Sequence, residues 1–195
     1  MQAVVWSILM PKSLTLIVLI TLCALADAAH ADVCVWRDPD QTMVKLFPSA
    51  GDYKTVTKKI KSDNAKAIEE RAGVKLDDSE RGEFNYYDIT GKSGGKTQRI
   101  GTVLALAGTG EYGAIEVVIG LDPDGKIIGV YVQRMREKNG ASLRSTDFLG
   151  QFKGKTVKDP IEIGKDVKGV NDAPVASQTI TIAIKKMLAF YDVLH

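Results

Sequence analysis

The chain has 195 residues, 45% of them apolar and 26% charged, which excludes a polytopic membrane protein or a disordered tail and allows one globular domain or two small ones. Twenty-six basic side chains nearly balance 24 acidic ones, and a net charge of +2 gives no electrostatic footprint for nucleic acid. Two cysteines and two histidines are too few for a disulfide framework or a four-cysteine zinc site, and they make His-dependent hydrolysis a weak reading.

Residues 1–31 stand apart in composition. Lys12 precedes an apolar run of 12 residues, Leu14 to Leu25. That is short of the ~20 residues of a spanning helix and within the ~7–15 of a signal-peptide core. Ala29-His30-Ala31 then places small residues at the −3 and −1 positions before Asp32. A cleaved export signal is expected, begun at Met1 or Met10. An uncleaved anchor is the alternative, with residues 3–10 apolar but Pro11-Lys12 interrupting them. Cys23 follows Leu22 and Cys34 follows Val33, so no lipobox is present. Cleavage leaves residues 32–195 with Cys34 alone and the charge unchanged, so a packed core must supply the stability.

Asp40 to Phe47 reads as a short helix with Met43, Leu46 and Phe47 on one side, stopped by Pro48. Tyr53 to Gly73 reads as helix through Val56, Ile60, Ala65, Ile68 and Ala72. Ser62-Asp63-Asn64 breaks it in two, and Gly73 stops it. Residues 40–76 thus form a helical lead-in, and the lysines at 54, 58, 59 and 61 are a solvated face. From Glu83 the period becomes two. Phe84–Ile89, Thr97–Ala107, Ala114–Leu121 and Lys126–Gln133 read as about four strands of an antiparallel meander. Asp122-Pro123-Asp124-Gly125 is a strong turn signal between the last two. A short helix carrying Phe148, Leu149 and Phe152 is expected within residues 143–152, with a short strand near Ile161 and Ile163. Gln178 to Leu194 gives the best helix, with an apolar stripe of Ile180, Ile184, Met187, Leu188, Tyr191 and Leu194. The fold class is therefore α+β: a central antiparallel meander flanked by N-terminal helices and a C-terminal helix.

The stretch from Tyr112 through Asp122-Pro123-Asp124-Gly125-Lys126 to Val130 resembles the FMN-binding domain of the Rnf complex G subunit. It also resembles the C subunit of the sodium-translocating NADH:quinone oxidoreductase. Glu137-Lys138-Asn139-Gly140-Ala141-Ser142-Leu143 stands where that family has a Glu-Thr-Pro-Gly-Leu-Gly loop. Phe152-Lys153-Gly154-Lys155 stands where it has a Phe-x-Gly-Lys patch. The likeness covers most of residues 83–195. Before the last helix the family has an Asp, two spacers and Ser/Thr-Gly-Ala-Thr, the Thr carrying FMN through a phosphoester made by a flavin transferase. Here Asn171-Asp172-Ala173-Pro174-Val175-Ala176-Ser177-Gln178-Thr179 stands in its place. Ser177 takes the Thr position and Ala176 the Ala, while Val175 replaces Gly and Pro174 replaces Ser/Thr. Asn171 falls where the Asp belongs, and Asp172 serves if the spacer is one residue shorter.

The resemblance implies an exported, periplasmic FMN-binding electron-transfer protein, with the flavin on an ester at Ser177 or held without one. It would act with a membrane electron-transport complex as a redox carrier rather than a stand-alone enzyme. Ser177, Gln178 and Thr179 are expected where the last helix starts and where free N–H groups favour a phosphate. Glu137, Gly140 and Asp172 are expected to line the site, with Tyr112 a candidate to stack on the ring. The alternative is a flavin-free binding or assembly module on the same fold, motivated by Pro174 and Val175. Left to itself, Ser177 or Thr179 is an ordinary helix cap.

Overall fold

The computed structural model describes residues 40–93 and 95–195. The expected export signal at residues 1–31 and Cys34 lie outside the described residues. The described chain runs α1 (Asp40–Leu46), β1 (Ala50–Lys59), α2 (Ser62–Ala72), a 3-10 turn (Asp78–Arg81), β2 (Glu83–Ser93) and β3 (Lys96–Thr109). It continues with β4 (Ala114–Leu121), β5 (Ile127–Arg134), α3 (Gly140–Leu143), α4 (Thr146–Leu149), a 3-10 turn (Gly150–Phe152) and α5 (Pro174–Leu194). The five strands form one antiparallel sheet in the order β1-β2-β3-β4-β5. The α+β meander is as expected, with one strand more than the four read from alternation.

That strand, β1, corrects the sequence reading at Tyr53–Lys59, which is not helix. Val56 and Ile60 sit four apart and imitate a helical stripe. Thr55, Val56 and Thr57 are instead β-branched residues on a sheet edge, with most side chains in water. An edge strand exposed on both faces carries no alternation to read. The second half of the lead-in is helix as expected. α2 buries Ala65, Ile68 and Ala72, and Gly73 closes it at φ 65°, its N–H donating to Glu69 O at 2.8 Å.

The sheet is covered unequally. One face packs under α2, α5 and the 143–152 segment. Phe84, Leu104, Ile115, Val117, Ile119 and Leu121 meet Ile180, Ile184, Met187 and Phe190 there. Phe84 and Phe190 stack with centroids 4.2 Å apart. On the other face, Met43 and Leu46 of α1, with Phe47 just after it, lie on Tyr87, Ile89, Val103 and Val118. Gly101 permits that approach, because a Cβ there would stand 2.3 Å from the Phe47 ring. The β4–β5 turn forms as read. Asp122 O accepts from the Gly125 N–H at 3.0 Å, and Asp122 Oδ1 accepts from Asp124 and Lys126 at 2.9 Å each.

Between β5 and α5 the structure departs from the expectations again. The 143–152 helix is two short helices and a 3-10 turn, burying Leu143, Phe148, Leu149 and Phe152. The strand at Ile161–Ile163 reduces to one bridge between Ile163 and Val167. That loop is held by Asp166, whose carboxylate accepts from Lys155 Nζ at 2.7 Å and from the N–H groups of Ile161 and Glu162. Among the described residues, no helix is long and apolar enough to cross a membrane.

Candidate functional site

Three connections meet at the N-terminal end of α5: the β3–β4 loop, the segment after β5, and the turn before α5. Glu111, Tyr112, Glu137, Lys138, Asn139, Asp172 and Ala173 line a cleft of about 210 Å³ there. Tyr112, Glu137 and Asp172, far apart in the chain, are thus brought to one place.

Each connection is held by a specific contact. The β3–β4 loop closes through the Gly110 N–H donating to Gly113 O at 2.8 Å, and Gly113 takes φ 129°, which L side chains rarely adopt. Glu137 Oε1 accepts from the Tyr112 N–H at 3.2 Å. It packs so closely on Gly110 that a Cβ there would lie 2.2 Å from it. Asn139 Nδ2 donates to Asp172 O at 2.5 Å, joining the segment after β5 to the turn before α5. The Lys138 ammonium stands 4.9 Å from the centre of the Tyr112 ring, and hydrogen bonding to Tyr112 holds it above its ordinary pKa. Sequence reasoning missed Asn139 and Glu111; a loop Asn or Glu carries no pattern that separates a tether from a solvated side chain.

The remaining expected residues fall elsewhere. α5 starts at Pro174, not near Ser177, because Pro at the first helical position needs no N–H acceptor and has its φ already set. The earlier start makes Ser177 the fourth helical residue and turns it inward. It is 1% exposed, and Ala176 beside it is equally buried. Ser177 Oγ accepts from the Val170 N–H at 2.9 Å, and Ser177 O accepts from Thr181 Oγ1 at 2.8 Å. Its hydroxyl is therefore neither an N-cap nor open to a phosphate. An ester there would require Gly169–Val170 to lift away. Gln178 is exposed on the outer side of the helix. Gly140 opens α3 and packs against Arg144 and Met135 outside the cleft lining.

Thr179 lines a second hollow of about 320 Å³ between α5, the end of β3 and the 74–80 segment, and its Oγ1 donates to Thr109 O at 2.9 Å. Lys186 closes one side of that hollow, with Nζ 2.7 Å from Glu80 Oε2 and 3.3 Å from Asp77 Oδ2. Both the Lys186 and Glu80 side chains are more than nine-tenths buried. This pair pins the 3-10 turn to α5.

Chemically, the cleft offers two kinds of group. Glu137 and Asp172 accept hydroxyl or imide protons. Lys138 favours an anion, and the start of α5, which no side chain caps, adjoins the cleft through Ala173. Carboxylates outnumber ammonium groups by three to one in the lining, so side-chain charge alone does not draw a phosphate. The polyol and ring of a flavin fit this donor set; an ester on Ser177 does not fit the chain as folded. Among the described residues, no group of three His, Cys, Asp or Glu is placed to hold a metal ion.

No family model and no curated protein matches this chain. Among solved structures, it is similar to the C subunit of the Na(+)-translocating NADH-quinone reductase from Parabacteroides distasonis. The identity is 17% and the TM-score 0.49, over 80% of this chain and 83% of that one.

Proposed function

We propose that this protein is an exported electron-transfer module that holds FMN without an ester in the cleft at the start of α5 and works beside a membrane redox complex. The observation that carries the reading is the convergence of Tyr112, Glu137 and Asp172 on one cleft at an uncapped helix terminus. FMN supplies the one- and two-electron chemistry, and the chain supplies binding and orientation. Glu137 and Asp172 would accept hydrogen bonds from ribityl hydroxyls. Lys138, beside the uncapped start of α5, would take the phosphate. Tyr112, 41% exposed, offers an aromatic face. At about 210 Å³ the cleft is smaller than the ~300–1,000 Å³ of pockets that enclose their ligands. A cleft of this size would hold one end of the cofactor and leave the rest accessible for exchange of electrons with a partner.

The flavin transferase and the Ser177 ester implied by the resemblance are alternatives within this reading. They are separated from it by one preparation. The protein is purified from the periplasm of a host that carries a flavin transferase. Flavin absorbance that is lost on denaturation, with no adduct in the protein mass, supports non-covalent FMN. An adduct that disappears in Ser177→Ala supports the ester. A second reading, a flavin-free assembly module, is favoured by the closure of Ser177 and the acidic excess of the cleft. Colourless protein that takes up no added FMN in equilibrium dialysis overturns the flavin reading in its favour. The same preparation tests export: an N-terminus at Asp32 marks cleavage after Ala31.

A further inference from the structure

We propose that the groove along β5 is a docking site for an acidic, extended peptide segment of a protein partner, which joins the sheet as a short sixth strand. β5 is an edge of the sheet. Both of its ends are already taken from within the chain. At Ile127 the N–H donates to Lys155 O at 2.9 Å, and the carbonyl accepts from the Gly154 N–H at 2.7 Å. At Val132 the carbonyl accepts from Arg144 Nε at 3.1 Å. Ile127 and Val132 therefore turn peptide groups away from β4.

The register with β4 is unbroken from Gly129 to Val132, so Val130 turns its N–H and C=O the same way as Val132. Val130 faces a groove of about 400 Å³ walled by Tyr131, Ser145, Leu149 and Lys153. The gap between the two occupied ends is Gly129–Tyr131, roughly 10 Å of strand. Outward main-chain groups on an edge strand are satisfied best by another extended backbone.

Charge selects the kind of peptide. Arg144 and Lys153 line the groove, both exposed, and no lining residue is acidic. Lys45 adds a third positive charge, 5.8 Å from the centre of the Tyr131 ring. Acidic residues flanking a short β-branched stretch would meet these cations while Tyr131 and Leu149 give apolar contact. This inference stands apart from the flavin reading, since it uses none of the cleft residues.

The test uses the full chain and a peptide labelled at its N-terminus, fluorescein-Glu-Thr-Val-Thr-Val-Glu-amide, with a twin in which Lys replaces both Glu. Saturable anisotropy is expected for the acidic peptide, with amide shifts centred on Gly129–Val132. Lys153→Glu and the Lys twin should each weaken it by about tenfold or more. Gly150→Leu provides a block that spares Arg144. A Cβ at Gly150 lies 3.5 Å from Thr146 Cγ2, an ordinary contact, and its φ of −64° suits any residue. The proposal is overturned by no saturation up to ~1 mM, by equal binding of both peptides, or by shifts that map away from β5.

Discussion

Replacing Ser177 by alanine separates a structural hydroxyl from a cofactor anchor. The side chain is 1% exposed, and its Oγ accepts from the Val170 N–H at 2.9 Å. Removing it forfeits a hydrogen bond worth about 1 kcal/mol and leaves a donor without its acceptor, which costs about 1–3 kcal/mol when water cannot replace it. Val170 is half-buried, so water reaches part of the gap. A net loss of about 1.5 kcal/mol is expected, mainly from the 167–170 turn loosening against α5. For a domain of this size each kcal/mol moves Tm by about 2–4 °C, which makes the fall about 3–6 °C. Differential scanning calorimetry of wild type and variant, both freed of flavin, reads the loss directly. Flavin content should fall little. An unchanged Tm together with complete loss of flavin would refute the structural role and restore the ester. Ser177→Thr is the complementary change. It keeps a hydroxyl but adds a methyl at a site 1% exposed, so overpacking should lower Tm as well.

Gly110→Ala should displace the Glu137 carboxylate and press on Ile115, costing about 1–3 kcal/mol and weakening FMN uptake in a fluorescence-quenching titration; unchanged uptake would show that Glu137 does not bind it. Asp166 gives a pH test. Burial pushes its carboxyl up, but Lys155 and the N–H groups of Glu162 and Ile161 overcome this and hold it at about 2, below the ordinary 3.8. Because the folded value is the lower one, the stabilisation is fully present above pH ~4 and is lost as pH falls from there through ~2. Its size is at most about 2 kcal/mol, less some screening through the 20% of the side chain left exposed. Asp166→Asn should therefore destabilise in urea melts at pH 7, by an amount that shrinks towards pH 2; a constant difference would contradict this. Lys186→Met leaves the buried Glu80 carboxylate unpaired and should cost about 3–5 kcal/mol, partly recovered by adding Glu80→Gln. A double variant no more stable than Lys186→Met would show that pairing is not the cause.

Local pattern carried the sheet and the last helix. The apolar run Ala114–Leu121 and the Asp122-Pro123-Asp124-Gly125 turn marked the β4–β5 hairpin, because the first reports a strand buried on both faces and the second a preset φ. The stripe from Ile180 to Leu188 fixed the buried side of α5, although Tyr191 and Leu194 are only partly covered. The grouping of Tyr112, Glu137 and Asp172 came from the resemblance, and the fold brought them to one cleft.

Tertiary structure decided what no window of sequence contains. β1 is a strand because β2 offers it a ladder of hydrogen bonds. Its exposed side chains record no burial period, so Val56 and Ile60 were free to suggest a helix. Pro174 set the start of α5, and three residues of helical rotation turned Ser177 from an expected anchor into a buried hydrogen-bond acceptor. The tether from Asn139 to Asp172 and the bracketed gap at Val130 join residues far apart in the chain. Periodicity reports which side of an element is dry; which elements meet, and which backbone groups are left over, depends on contacts that close only when the whole domain packs.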